Sequence, residues 1–352
     1  MLNKCYIQAT SAISPQHTFE GEFHTQPFVA STRNLLNVIE PNYSGFISPN
    51  NLRRMSRLLK IGQTAALKCL VGSEFPVPGA IITGTGKGSL HDTEKFLKNI
   101  REYEETALNP TPFIQSTYNA VNGLIALQQK CTSYNNTFVH RGFSFESALQ
   151  DTLMQLQEGV ESVLVGSFEE MSEEHFYIKG RIGHWKEGAT NETFLADNQT
   201  TGSIAGEGSA YFLVTAKPAS RNLAVIEGVE MVYKPTTEQL GNRLQKFLAQ
   251  HGNPTIDVLL TGENGDANFA HYYQYLHQQF SPSTTIIPFK QLCGEYDTAS
   301  SFATWLATEI LVHQSLPLSL QAYNTASLQN VQHVLIYNNF MGEQHSFILL
   351  SK

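Results

Sequence analysis

Charge and cysteine are both scarce in this chain of 352 residues. Only 15% of its residues are Asp, Glu, Lys or Arg, against about 25% in an average soluble protein. Basic residues number 23 and acidic ones 31, a net charge of −8. A nucleic-acid protein needs a basic field to neutralise phosphates, and so does docking on anionic lipid; this balance argues against both partners. Two readings of the low charge fraction remain open: much surface buried against a subunit, or a surface rich in Asn, Gln, Ser and Thr.

No stretch approaches the about 18 to 20 apolar residues of a membrane-spanning helix. The start, MLNKCYIQATSAIS, has no apolar region of signal-peptide shape. The four cysteines, at 5, 69, 131 and 293, include no CxxC pair. Such spacing predicts reduced thiols in the cytoplasm rather than a disulfide frame. The 12 histidines are scattered, with no HExxH and no Cys/His cluster at zinc spacing, so no metal is predicted. A G-x-S-x-G elbow is also missing. Gly84-Thr85-Gly86-Lys87-Gly88 fails both nucleotide templates and reads as a tight turn.

Apolar residues make up 41% and aromatics 11%, enough for a sizeable core. The length predicts about two domains. Strand-like runs at Lys4–Thr10, Ala80–Thr83, Ser162–Val165 (closed by Gly166), Ala210–Val214, Ala224–Val232, Val258–Thr261, Val334–Tyr337 and Ser346–Leu350 alternate with helical ones. Helical spacing marks Asn51–Leu70, Thr93–Thr106, Ser116–Gln129, Ser144–Gln157 (Ser144 as N-cap), Thr236–Gln250 and Ser300–His313. This alternation predicts an α/β fold with helices covering a mostly parallel sheet. AIITGTGKG (80–88) and DVLLTGENG (257–265) form a faint internal repeat, which predicts two similar halves.

Two segments invite chemistry. His140–Glu146 places two charged groups and a glycine before a helix, where anions and thiolates are favoured, yet it contains no cysteine. The alternative is a buried helix start with Arg141 paired to Glu146 or another carboxylate. Lys290–Ser301 leads from a strand into a helix of small residues, suited to a ligand or to tight helix packing.

These pieces, in this order, resemble the β-ketoacyl-acyl-carrier-protein synthases. Met55-Ser56-Arg57 resembles that family's MDR segment, and Ile81–Gly88 its VGTGxGG turn. PFIQSTYNAVNGLIAL (112–127) is similar to its dimer-interface region, and GVESVLVGSFEE (159–170) to GxADxMLAGGxE. GSIAGEGSA (202–210) resembles GFVxGEGAG, Lys290–Ala303 resembles KxxxGHxxGAAGAA, and Tyr337–Phe340 the closing NSFGFGG loop. The resemblance implies a thiolase-like fold with two pseudo-repeated halves, 1–215 and 216–352, fused in a five-layer αβαβα arrangement. It implies no cofactor.

The same resemblance implies lost catalytic groups. The family's acyl-accepting cysteine falls on Gly142, the histidine of HGTGT on Thr261, and the histidine of GH on Glu295, while its lysine stays as Lys290. The expectation is a non-condensing homologue of the chain-length-factor kind, closest to the aryl polyene and flexirubin branch. Its implied partners are an active ketosynthase subunit or a second copy of itself, and an acyl carrier protein. Phe113, Tyr118, Arg141, Phe143 and Phe340 are the expected acyl-contacting residues, with Phe113 and then Tyr118 as the floor of the partner's acyl tunnel. The alternative is a free-standing acyltransferase with a site rebuilt from His140, Arg141 and Glu295.

Overall fold

The computed structural model describes residues 4–197, 199–219, 222–323, 328 and 330–352. Its strands are β1 Cys5–Ile13, β2 Leu35–Leu36, β3 Ala80–Gly84, β4 Tyr134–Phe138, β5 Ser162–Glu169, β6 Ala205–Gly206, β7 Gly208–Thr215, β8 Ala224–Tyr233, β9 Val258–Thr261, β10 Thr285–Pro288, β11 His333–Phe340 and β12 Gln344–Ser351. Its helices are α1 Pro49–Leu52, α2 Arg57–Leu70, α3 Leu90–Glu102, α4 Pro110–Ser116, α5 Ala120–Gln129, α6 Ser144–Gln157, α7 Glu173–Arg181, α8 Thr237–Gln250, α9 Ala270–His277, α10 Lys290–Cys293 and α11 Ala299–His313.

Ten strands hydrogen-bond in the order β10-β9-β11-β12-β8-β1-β7-β5-β3-β4. One half of that order repeats the other. From its outer edge, β4, β3 and β5 run parallel, then β7 and β1 alternate in direction. Likewise β10, β9 and β11 run parallel, then β12 and β8 alternate. β3 and β9, which carry the two similar stretches, hold the same place in each set. The sets meet at β1 and β8 through a ladder of only three residue pairs, Cys5–Ile7 against Ala224–Ile226.

The sheet is therefore mixed rather than mostly parallel: five of the nine ladders between these strands are antiparallel. For one of the five the cause is connectivity. Only residues 341–343 join β11 to β12, and so short a link forces a hairpin.

Alternation along the strands sorts side chains into layers. On β5, Val163 and Val165 face one core, while Leu164 and Phe168 face another. On β11, Val334 and Ile336 share the first core, and Leu335 and Tyr337 enter a third. The shared core holds α6 and α11 between the two strand sets, with Phe145, Leu149, Phe302 and Leu306 among its members. α2 and α5 cover the outer face of the first set, and α8 and α9 that of the second. This makes five layers. α11 has strands on both sides and is buried nearly all round, which its small residues permit. Two of its buried hydroxyls are satisfied within the helix: Thr304 donates to the Ser300 carbonyl and Thr308 to that of Thr304.

Several local expectations need correction. Asn51–Leu70 is not one helix, because Ser56 is extended (ψ 167°) and α2 starts after it. Ser116–Gln129 breaks likewise at extended Thr117 (ψ 137°). Ser144 lies inside α6; its hydroxyl donates to the Arg141 carbonyl and accepts from the His140 amide. Gly166 does not close β5, which continues to Glu169. A Cβ on Gly166 would lie 2.4 Å from Tyr211 Cδ1, so the glycine makes room for that ring on the neighbouring strand.

Glu146 on α6 is fully buried, accepts from the Ser346 hydroxyl at 2.7 Å, and has its carboxyl pushed up to about 7 by burial. A carboxyl raised in this way favours the fold at low pH and loses that advantage as pH rises through about 7. Glu146→Gln should therefore gain stability over the wild type between pH 5 and pH 8, by about 2 kcal/mol, in urea unfolding. A pH-independent difference would contradict this.

Candidate functional site

The turn before α6 is held from the opposite end of the chain. Arg141–Phe143 form one 3-10 turn, entered by Arg141 in the left-handed region (φ 53°). Gln344, at the start of β12, clamps it. Its side-chain oxygen accepts from the Gly142 amide at 2.9 Å, and its side-chain nitrogen donates to the His140 carbonyl at 3.0 Å. The amide at the head of this turn is thus occupied, whereas a helix head in an acyl-transfer site offers such amides to an oxyanion.

Phe340, the last residue of β11, lies directly on Gly142. A Cβ there would stand 2.3 Å from Phe340 Cβ and 2.5 Å from its Cγ. Met341, which follows, is also left-handed (φ 56°). Strained residues thus flank the contact on both sides, at about 1–3 kcal/mol each. The Arg141 guanidinium lies 5.6 Å over the Phe340 ring and bonds Glu343 at 2.8 Å; Lys234 bonds the same carboxylate at 3.0 Å. Arg141 thus pairs with Glu343 and not with Glu146.

A second cluster adjoins this contact. Lys290 is fully buried, and its ammonium donates to both Glu295 oxygens at 3.0 and 2.8 Å and to the Asn339 carbonyl at 3.4 Å. The Asn264 side chain donates to Glu295 at 2.8 Å. Burial pushes the Glu295 carboxyl up, and the Lys290 ammonium pulls against it. Both charges are paired, the condition under which a buried ion pair is tolerated. Thr261, buried at the end of β9, donates to Glu263 at 3.3 Å.

A cavity of about 300 Å³ opens over Phe340 and Glu295, rimmed by Lys87, His175, Lys179 and Asp297. His175 and Lys179, one turn apart on α7, sit beside Lys87. Burial first, and then the two lysine charges, push His175 down to about 4. Lys87 pairs with Asp297. Behind them the Gly86 amide donates to Glu169, whose carboxyl is pushed up to about 8 by burial and by Asp297. The glycine-rich turn therefore has carboxylates of this chain where a phosphate would sit.

The structure thus gathers Gly142, Phe340, Lys290 and Glu295, with Thr261 nearby. Phe143 is buried edge-on against His140 at 5.5 Å. Phe113 and Tyr118 do not join the cluster. Phe113, 54% exposed on α4, packs against Phe96 at 5.2 Å, and Tyr118 lies over Gly88. Phe113 is therefore not part of this chain's own core. Gln344, Asn264 and Asp297 escaped sequence reasoning, because their partners lie 202, 31 and 210 residues away.

The fold is a thiolase-like α/β fold, of the kind seen in ketosynthase structures. Residues 33–180 match the family model described as beta-ketoacyl synthase, N-terminal domain. No curated protein matches the sequence. Among solved structures, the ishigamide ketosynthase/chain length factor superposes with a TM-score of 0.82 at 16% identity, covering 100% of both chains. A ketosynthase (ApeO) in complex with its chain length factor (ApeC) from Xenorhabdus doucetiae gives 0.76 at 17%, covering 99% of this chain and 98% of that one. A beta-ketoacyl synthase from Burkholderia phymatum gives 0.75 at 13%, covering 99% of each.

The Gly142–Phe340 contact yields a double-mutant test. Gly142→Cys should destabilise the chain by about 1–3 kcal/mol through overpacking. In a Phe340→Gly background, which removes the Cβ as well as the ring, the same substitution should cost about 1 kcal/mol less, a coupling read from urea midpoints. Equal costs in both backgrounds would show that Phe340 does not limit residue 142.

Proposed function

We propose that this chain is a non-condensing ketosynthase homologue that acts as a chain length factor. It pairs with an active ketosynthase in aryl polyene-like chain synthesis, on acyl-carrier-protein substrates, and shapes the partner's acyl tunnel. The observation that carries this reading is Phe340 packed on Gly142, which leaves no room for a side chain at the residue that the resemblance assigns to the family's nucleophile. Thr261 and the closed Lys290–Glu295–Asn264 cluster support it, since neither offers a histidine to a thioester oxygen. The two solved relatives whose names include a chain length factor are consistent with it.

A surface suited to a partner lies at one end of the sheet. β4 is an edge strand, and open edges are natural pairing sites. Beside it, Ile114 and Leu127 are 61% and 78% exposed. Between α2, α4 and α5 lies a groove of about 720 Å³ lined by Met55, Leu59, Ile114, Ala120, Leu124 and Leu127. A partner seated there would cover apolar area that water otherwise wets. Phe113, exposed beside Ile114 on the same short helix, would then supply the tunnel floor.

A second reading, an acyl- or carrier-binding protein with a rebuilt site, has one observation in its favour: the cavity over Glu295 with its Lys87–Lys179 rim. Against it, Arg141 is paired with Glu343, and Glu295 with Lys290 and Asn264.

The pure chain, given malonyl- and acyl-carrier protein, should form no ketoacyl product, and Gly142→Cys should not change that, because nucleophile and oxyanion donors act as a unit. Product from a preparation free of other synthases would overturn the reading. With the cognate synthase, Phe113→Ala should lengthen products without slowing the first condensation. Each extra two-carbon unit that overpacks the floor costs about 1–3 kcal/mol, which is about ten- to a hundred-fold in rate. An unchanged length distribution, by mass spectrometry of an intact heterodimer, would remove Phe113 from the floor.

A further inference from the structure

Far from the cavity, three side chains converge where the N-terminal segment meets the end of α11. His24 lies on a 3-10 turn, Phe23–Thr25, anchored by Phe23 packing on Trp305 at 4.9 Å. Glu309 and His313 are one turn apart on α11, with His313 Nε2 3.5 Å from a Glu309 oxygen. One ligand atom from each of the three residues lies within 4.8 Å of the others. We propose that His24, Glu309 and His313 bind one divalent transition-metal ion of the zinc type, which ties the N-terminal segment to α11.

The tautomer of His24 supports this. Its Nε2 lies 2.9 Å from the Ser315 carbonyl oxygen and 2.9 Å from the Ser315 hydroxyl. The carbonyl only accepts, so Nε2 carries the proton. Nδ1 is then a lone pair, and it is buried without a hydrogen-bond partner. An imidazole that donates one N–H to a backbone carbonyl and offers its other nitrogen is the usual form of a metal-ligating histidine. A buried unpaired acceptor is costly, and a bound cation would relieve that cost. The set of two imidazoles and one carboxylate suits zinc and leaves a fourth position for water.

The two rings are stacked, with centroids 4.2 Å apart and planes 21° from parallel. Stacked rings point their lone pairs side by side, so coordination requires one ring to turn. The His313 side chain, 39% exposed, has room to do so, while Ser315 holds His24. The absence of a zinc spacing motif is explained by the split of the ligands between residue 24 and residues 309 and 313. A Glu-x-x-x-His pair alone is an ordinary helix-surface feature.

The test is calorimetric titration of the full chain, stripped with EDTA, with zinc chloride. One equivalent should bind with a Kd below about 10 µM, and the thermal midpoint should rise with zinc concentration. His24→Gln and Glu309→Gln should each weaken binding at least about tenfold, while His271→Gln, on the exposed face of α9, should not. Cobalt should give the intense visible band of a four-coordinate site in the wild type and lose it in Glu309→Gln, a shape-conserving change that keeps the test valid if His24→Gln misfolds. No saturable binding at about 100 µM zinc would overturn the proposal. So would unchanged affinity in both ligand variants, which would place the ion on other histidines.

Discussion

The contact between Phe340 and Gly142 is the constraint around which this molecule is arranged. It joins the end of β11 to the head of α6, two elements 198 residues apart, at the place where the two strand sets face each other. Once the ring is there, residue 142 carries no side chain, and Arg141 and Met341 adopt left-handed backbones to make the approach. Gln344 then fills the hydrogen-bonding capacity of the turn, and Arg141 closes over the ring toward Glu343. Each partner is explained by the one before it.

The neighbouring polar cluster follows the same logic. An ion pair with Lys290 wholly buried persists only with every charge answered, and Glu295, Asn264 and the Asn339 carbonyl answer Lys290 together. A site organised for turnover leaves donors open toward a substrate. Here the Lys290 and Asn264 donors are directed at the protein's own groups, while exposed apolar side chains lie along α4 and α5. The proposed role, a subunit that acts through shape rather than chemistry, would need that distribution.

Much of this was legible in the chain. The strands read from alternation, the repeat of AIITGTGKG and DVLLTGENG maps onto β3 and β9, and the motif order carries the thiolase-like fold. The antiparallel centre was not legible, because direction depends on which strand a segment meets, and no local pattern encodes that. β4, with its Tyr-Asn-Asn-Thr-Phe sequence at a sheet edge, lacks an apolar alternation and passed unnoticed. At the site, Gly142, Glu295 and Lys290 stood out through their motifs. Phe340 was expected among the acyl-contacting residues, not as the cover of Gly142. Its packing on Gly142 and the Gln344 clamp depend on folding together residues about 200 positions apart. The metal-ligand cluster was invisible for the same reason.

The central claim is that residue 142 and its surroundings accept no acyl group. Intact-mass spectrometry of the pure chain, after incubation with an acyl carrier protein loaded with a medium-length acyl chain, tests it most directly. The account predicts an unchanged mass on this chain. A mass increase equal to the acyl group, mapped to a residue lining the cavity over Glu295, would contradict it.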